Sequence, residues 1–220
     1  MNTIARACCF FGLAGILVGS AATLYWWGWP YVIGEDNLVE SMTAILFVAA
    51  AVVGFRRFAR LAWSRSRVLL LILAAGSLVC FLEEISYGDN WFHYRKLPTL
   101  DGARLDGAHD VVSVWVHRNP VGSTIGRVGV ALLAGLAVVG AWQCRRRGSV
   151  GYLMLFISFL GIAQIIDLHL VRPAYYRELE TLGEMLSALA LTFAVWAVED
   201  PVAAGVRAAT DDEPSRSLAA

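Results

Sequence analysis

The sequence predicts an all-α fold, a polytopic transmembrane bundle of about six membrane-spanning helices with a short helix in one outer loop. Three observations carry this. Hydrophobic residues make up 58% of the 220 residues and charged residues only 16%, against roughly 25% charged in an average soluble domain. The chain divides into apolar runs that reach about the 20 residues a helix needs to cross a bilayer. Arginine clusters and acidic clusters alternate along the connections between those runs, which is the asymmetry that sets membrane orientation.

The first run covers about Ala7 to Trp27. Gly19-Ser20-Ala21 could serve as a signal-peptide cleavage site. A retained helix fits better, because the run ends in Tyr25, Trp26, Trp27, Trp29 and Tyr31, an interfacial aromatic belt. Gly12, Gly15 and Gly19 give it a small face suited to close helix packing. The second helix is expected from about Leu38 to Phe55, with Glu40 and Thr43 on one face of its first turns, and a basic connection from Arg56 to Arg67 follows. The third is expected from about Val68 to Tyr87, and its Ser77, Cys80, Glu84 and Tyr87 recur at helical spacing on one side.

The connection from Gly88 to about Ser123 is the longest, and loops of that length usually carry function or structure of their own. Its second half reads as a short helix from Asp106 to His117. Asp106, His109, Asp110, Ser113 and His117 then fall within an arc of roughly 100°. That helix either caps the outer ends of the bundle or lies on the bilayer surface with its valines and Trp115 inserted. The fourth helix is expected from about Ile125 to Trp142, with Gly126, Gly129 and Gly135 offering close contacts, followed by Arg145-Arg146-Arg147. The fifth runs from about Val150 to Leu170, and the sixth from about Arg177 to Val198, with Arg177, Glu180, Glu184 and Ser187 on one face. One bundle is therefore expected over 1–200, with the outer cap at 88–123 and a disordered cytoplasmic tail at 201–220.

The positive-inside rule places the arginine clusters and both termini on the cytoplasmic side, in what is expected to be a bacterial inner membrane. Every histidine and most of the carboxylates then gather on the outer side. Ionisable residues in membrane helices are costly and mark function or buried pairing. Glu84, His109 and Asp110 are the candidate catalytic residues; Glu40, Glu84, His109, Asp110 and Glu184 are the candidate metal ligands. Carboxylates and imidazoles from separate helices suit Zn, Mn or Fe, although no compact ligand motif is present. Cys8, Cys9, Cys80 and Cys144 have no paired spacing and read as small hydrophobes. A net charge of zero gives no reason to expect a nucleic-acid partner.

Glu83-Glu84-Ile85-Ser86-Tyr87-Gly88-Asp89 resembles the Glu-Glu-Ile-Ser-Trp-Gly-Gln motif of a family of uncharacterised bacterial multi-pass membrane proteins, departing from it at Tyr87 and Asp89. The acidic starts to an early and a late helix that recur in that family look like Glu35 to Glu40 and Glu180 to Glu184 here. The resemblance implies a membrane bundle and no specific activity. A ceramidase-like hydrolase would need a His-x-x-x-His on a late helix, which this sequence lacks.

Three function classes stay open. One is a metal-assisted enzyme acting on a lipid or envelope substrate, with the metal as Lewis acid and a carboxylate as base. The second is an accessory subunit of a membrane complex, or a homo-oligomer, joined through the glycine-rich helix faces. The third is a transporter, against which the other end of the bundle shows no matching polar path. Membrane lipids are expected neighbours in all three.

Overall fold

A computed structural model describes residues 3–28, 38–85, 99–100, 103–104, 122–167 and 175–198. It contains six helices, each long and apolar enough to cross a membrane: α1 (Thr3–Trp26), α2 (Leu38–Arg60), α3 (Arg65–Glu84), α4 (Gly122–Arg147), α5 (Ser149–Asp167) and α6 (Tyr176–Ala197). The chain thus has the make-up of an integral, multi-pass membrane protein. Between α3 and α4, β1 (Thr99–Leu100) and β2 (Ala103–Arg104) pair antiparallel, with Thr99 opposite Arg104 and Leu100 opposite Ala103. The expected helix at 106–117 and the tail at 201–220 lie outside the described residues.

The helix ends differ from the apolar runs in an informative way. Both α2 and α4 continue through their arginine runs, to Arg60 and Arg147, because arginine is a good helix former and cations suit a helix C-terminus. α3 starts earlier than its first apolar residue because Ser64 caps it, its side chain accepting from the Arg67 amide at 3.2 Å. α1 ends at a turn in which Gly28 takes φ +85°, a left-handed conformation that glycine adopts without strain.

α6 is the hub. It packs most extensively on α5 and α2, and also touches α1 and α3, while α4 packs on α5 and α1. Its composition suits that position: Ala188, Ala190, Ala194 and Ser187 are fully buried and let neighbouring helices approach. Thr192 reaches across to α2, where its hydroxyl donates to the Leu46 carbonyl at 3.2 Å. α1, by contrast, is held mainly through Ala7, Phe10 and Ala21.

Two features close one end of the bundle tightly. Phe10 of α1 lies edge-on to Tyr152 of α5 and Phe193 of α6, with centroids 5.3 Å apart in both cases. Glycines let backbones touch: a Cβ on Gly54 would sit 2.8 Å from the Ala74 Cβ, and one on Gly151 would sit 2.3 Å from the Cys144 nitrogen. The expected packing role of Gly12, Gly15, Gly19 and Gly135 is not met among the described residues, since a Cβ at any of them would meet nothing there within 4 Å. At Gly129 it is met, by Ile165 of α5 at 2.9 Å.

Candidate functional site

Alternating helix directions sort the charges to the two ends of the bundle. The C-terminal turns of α2 and α4 and the first turn of α3 bring Arg56, Arg57, Arg60, Arg65, Arg67 and Arg146 to one end. Glu40, Glu83, Glu84, Glu178, Glu180 and Glu184 belong to the opposite ends of α2, α3 and α6.

At the acidic end a cleft of about 730 Å³ opens between α2 and α3. Its origin is local. Gly54 and Ala74 bring the two helices into contact toward the basic end, whereas Ile45, Val48 and Phe81 line open space nearer the acidic one. The wall is apolar, formed by Ala44, Ile45, Val48, Ala49, Val52 and Phe81, and the far end carries Glu40, Ser41 and Glu84. Ile45 and Val52 are largely exposed, so the cleft is open sideways toward the bilayer region.

Glu84 shares one side of α3 with Ser77, as its spacing predicts, and that side faces the core. Leu70, Leu73, Ala74 and Ser77 on that side are buried, while Leu71, Ile72, Leu78 and Val79 are exposed. Ser77 donates back to the Leu73 carbonyl at 2.7 Å and so is satisfied within its own helix. The Oε1 atom of Glu84 is buried without a hydrogen-bond partner, which is costly for a carboxylate oxygen. Thr43, one turn beyond Glu40 on α2, is fully buried and donates to the Val39 carbonyl at 2.9 Å.

The structure thus brings Glu40 and Glu84 to one cleft. Glu184 is half-buried on α6 and is not among the residues described as lining it. His109 and Asp110 lie outside the described residues, as do Tyr87 and the other histidines. Among the described residues no group of three or more His, Cys, Asp or Glu side chains is placed to hold a metal ion.

Two functional-looking contacts have no motif in the sequence. The Tyr25 hydroxyl donates to Glu178 Oε1 at 2.8 Å, tying the end of α1 to the start of α6. Arg57 reaches across the bundle to the end of α6: its Nη1 donates to the Val195 and Trp196 carbonyls at 2.6 and 3.0 Å, and its Nη2 to the Val198 carbonyl at 2.5 Å. These are C-terminal carbonyls with no acceptor role left inside the helix, and a cation there also meets the negative end of the helix dipole. An arginine in an arginine run gives no sign of which member turns inward.

The chain matches no family model, no curated protein and no solved structure.

Proposed function

We propose that the protein is a membrane-embedded, metal-assisted enzyme that takes a lipid-like substrate into the α2–α3 cleft from the bilayer side. The cleft supports the lipid half of this reading, because it offers an apolar trough to a tail and an acidic end to a head group. The observation that carries the metal half is the buried, unpartnered Oε1 of Glu84 at that acidic end. A carboxylate in such a place calls for a cation, and Glu40 at the same end adds a second oxygen ligand. Zn, Mn or Fe would accept such ligands and act as a Lewis acid toward an ester or phosphoester oxygen. By the positive-inside rule the acidic end faces outward and the arginine-rich end faces the cytoplasm.

The test is a thermal scan of the purified protein with Zn, Mn, Fe or a chelator, alongside metal analysis. A metal that binds only the folded state stabilises by about 2.7 kcal/mol at a hundredfold excess over its Kd. Wild type should therefore melt higher with metal and lower with chelator. Glu84→Gln should fold and lose both responses. A wild-type curve indifferent to every addition, with no metal in the sample, removes the metal half and leaves the cleft as a lipid-binding feature.

A second reading has one observation in its favour. Gly12, Gly15 and Gly19 leave an open stripe along α1, which fits a helix of a partner subunit in a membrane complex.

A further inference from the structure

The basic end of the bundle holds a second cavity, unlike the first in every respect. It has a volume of about 280 Å³ and lies where α1, α3 and α5 begin, α4 ends and α6 ends. Thr3, Ser66 and Ser149 bring three hydroxyls to its wall, and Arg146 brings a guanidinium. No Asp or Glu lines it among the described residues. Arg146 makes no hydrogen bond or ion pair among the described residues; its contact is with Trp142, whose ring centroid lies 4.2 Å from the guanidinium carbon. Stacking occupies the face of the guanidinium and leaves its in-plane N–H donors for a ligand.

The backbone adds to the same sign of charge. Thr3 and Ser149 are the first residues of α1 and α5, and Ser66 is the second of α3. Amides in a first helical turn have no acceptor inside their own helix, and each such terminus carries about half a positive charge. Besides the end of α4, which carries Arg146 itself, one opposing element touches the cavity, the C-terminus of α6 at Ala197 and Val198. Its carbonyls are already engaged by Arg57, at Val195, Trp196 and Val198. The negative end of α6 is therefore offset by a cation of its own, and among the described residues the lining of the cavity offers donors and no acidic side chain.

We propose that this cavity binds a phosphate group. The volume, near the lower limit of about 300 Å³ for small-molecule sites, suits a single phosphate rather than a nucleotide. Hydroxyl, amide and guanidinium donors are what phosphate oxygens accept from. The phosphate can come from solution or from the head of an anionic lipid at the membrane surface. The proposal does not depend on the acidic cleft.

The experiment uses the full chain in nanodiscs. One arm keeps phosphatidylcholine discs and titrates inorganic phosphate; the other replaces part of the lipid with phosphatidic acid. Melting temperature and bound phosphate or lipid per chain are read in both. Saturable, one-to-one binding that raises the melting temperature supports the proposal, and the arm that shows it identifies the source. Arg146→Gln should weaken that binding about tenfold or more, as expected for hydrogen bonds to a charged group. Arg60→Gln, at an exposed arginine that does not line the cavity, should leave it unchanged. Ser66→Asp is the second variant: an acid in the first turn favours the helix, so the protein should fold, yet its carboxylate should abolish binding. No response in either arm, or equal weakening by Arg60→Gln and Arg146→Gln, overturns the proposal.

Discussion

The two ends of this bundle are built from the same six helices and show different contacts. At the basic end the helices are stitched. Arg57 of α2 binds the carbonyls that end α6, Arg67 stacks on Phe58 and Trp63 at 4.6 and 5.5 Å, and Gly151 seats α5 directly on the backbone of α4. At the acidic end the described contacts are of another kind. Tyr25 bonds Glu178, Tyr175 enters α6 at φ 61° with no side-chain cap, and α2 and α3 leave the cleft between them. Even there α5 and α6 stay close, since a Cβ on Gly183 would lie 3.1 Å from the Ala163 Cβ. The difference teaches that openness is local to α2 and α3, where a ligand can enter, while the basic end and the α5–α6 pair supply the rigid frame.

The largest effect that can test this contrast belongs to Gly151. Gly151→Ala would place a methyl group 2.3 Å from the Cys144 nitrogen and 2.7 Å from its Cα. Neither is a side-chain end that can swing aside, so α4 and α5 must part. A loss of about 3 kcal/mol, at the upper end of overpacking costs, is expected. Gly76→Ala is the matched control: nothing lies within 4 Å of its Cβ position, and it should be neutral or slightly stabilising. Equal melting temperatures for the two variants would break the picture of a tightly packed basic end.

Arg57→Met should come next. It keeps the length of the side chain and removes its donors to Val195, Trp196 and Val198. Some of those carbonyls are near solvent and can turn to water, so about 2 kcal/mol is expected rather than the sum of three charged bonds. Hydrogen exchange should localise the loss to the last turn of α6. Unchanged exchange there would mean that Arg57 caps nothing of consequence.

The contrast was partly legible in the sequence. Six runs, the arginine clusters and the shared helix side of Ser77, Cys80 and Glu84 follow from hydropathy and helical spacing, and those signals are local. What was not legible depends on which residues meet across helices. The sequence marks Glu40, Glu84 and Glu184 alike as outer-end acids, but the cleft takes Glu40 and Glu84 without Glu184, because α2 and α3 are neighbours and the helix carrying Glu184 packs mainly on α5 and α2. Glycine misleads for the same reason. The Gly-x-x-x-Gly of α1 is open, while close contacts are made by glycines such as Gly54, Gly140 and Gly151, which stand in no such repeat with one another. Thr3, Ser66 and Ser149 are far apart in the chain and share a cavity only because three helices begin at one end.

The smallest effect is expected at the acidic end, from Tyr25→Phe. Its hydroxyl bonds one oxygen of Glu178, on a residue that is only partly buried. Removing the hydroxyl leaves an acceptor that can bind water, so no charge is stranded, and the global melting temperature should hardly move. The local consequence should be clear, because α1 has few buried side chains and Ala21 marks its last buried contact before that end. Amide exchange should accelerate from Thr23 to Trp27 and stay unchanged around Phe10, which remains locked against Tyr152 and Phe193. If instead Tyr25→Phe lowers the melting temperature as much as Arg57→Met, the acidic end is as firmly stitched as the basic one. The cleft between α2 and α3 would then be a local hollow between two firmly tied ends.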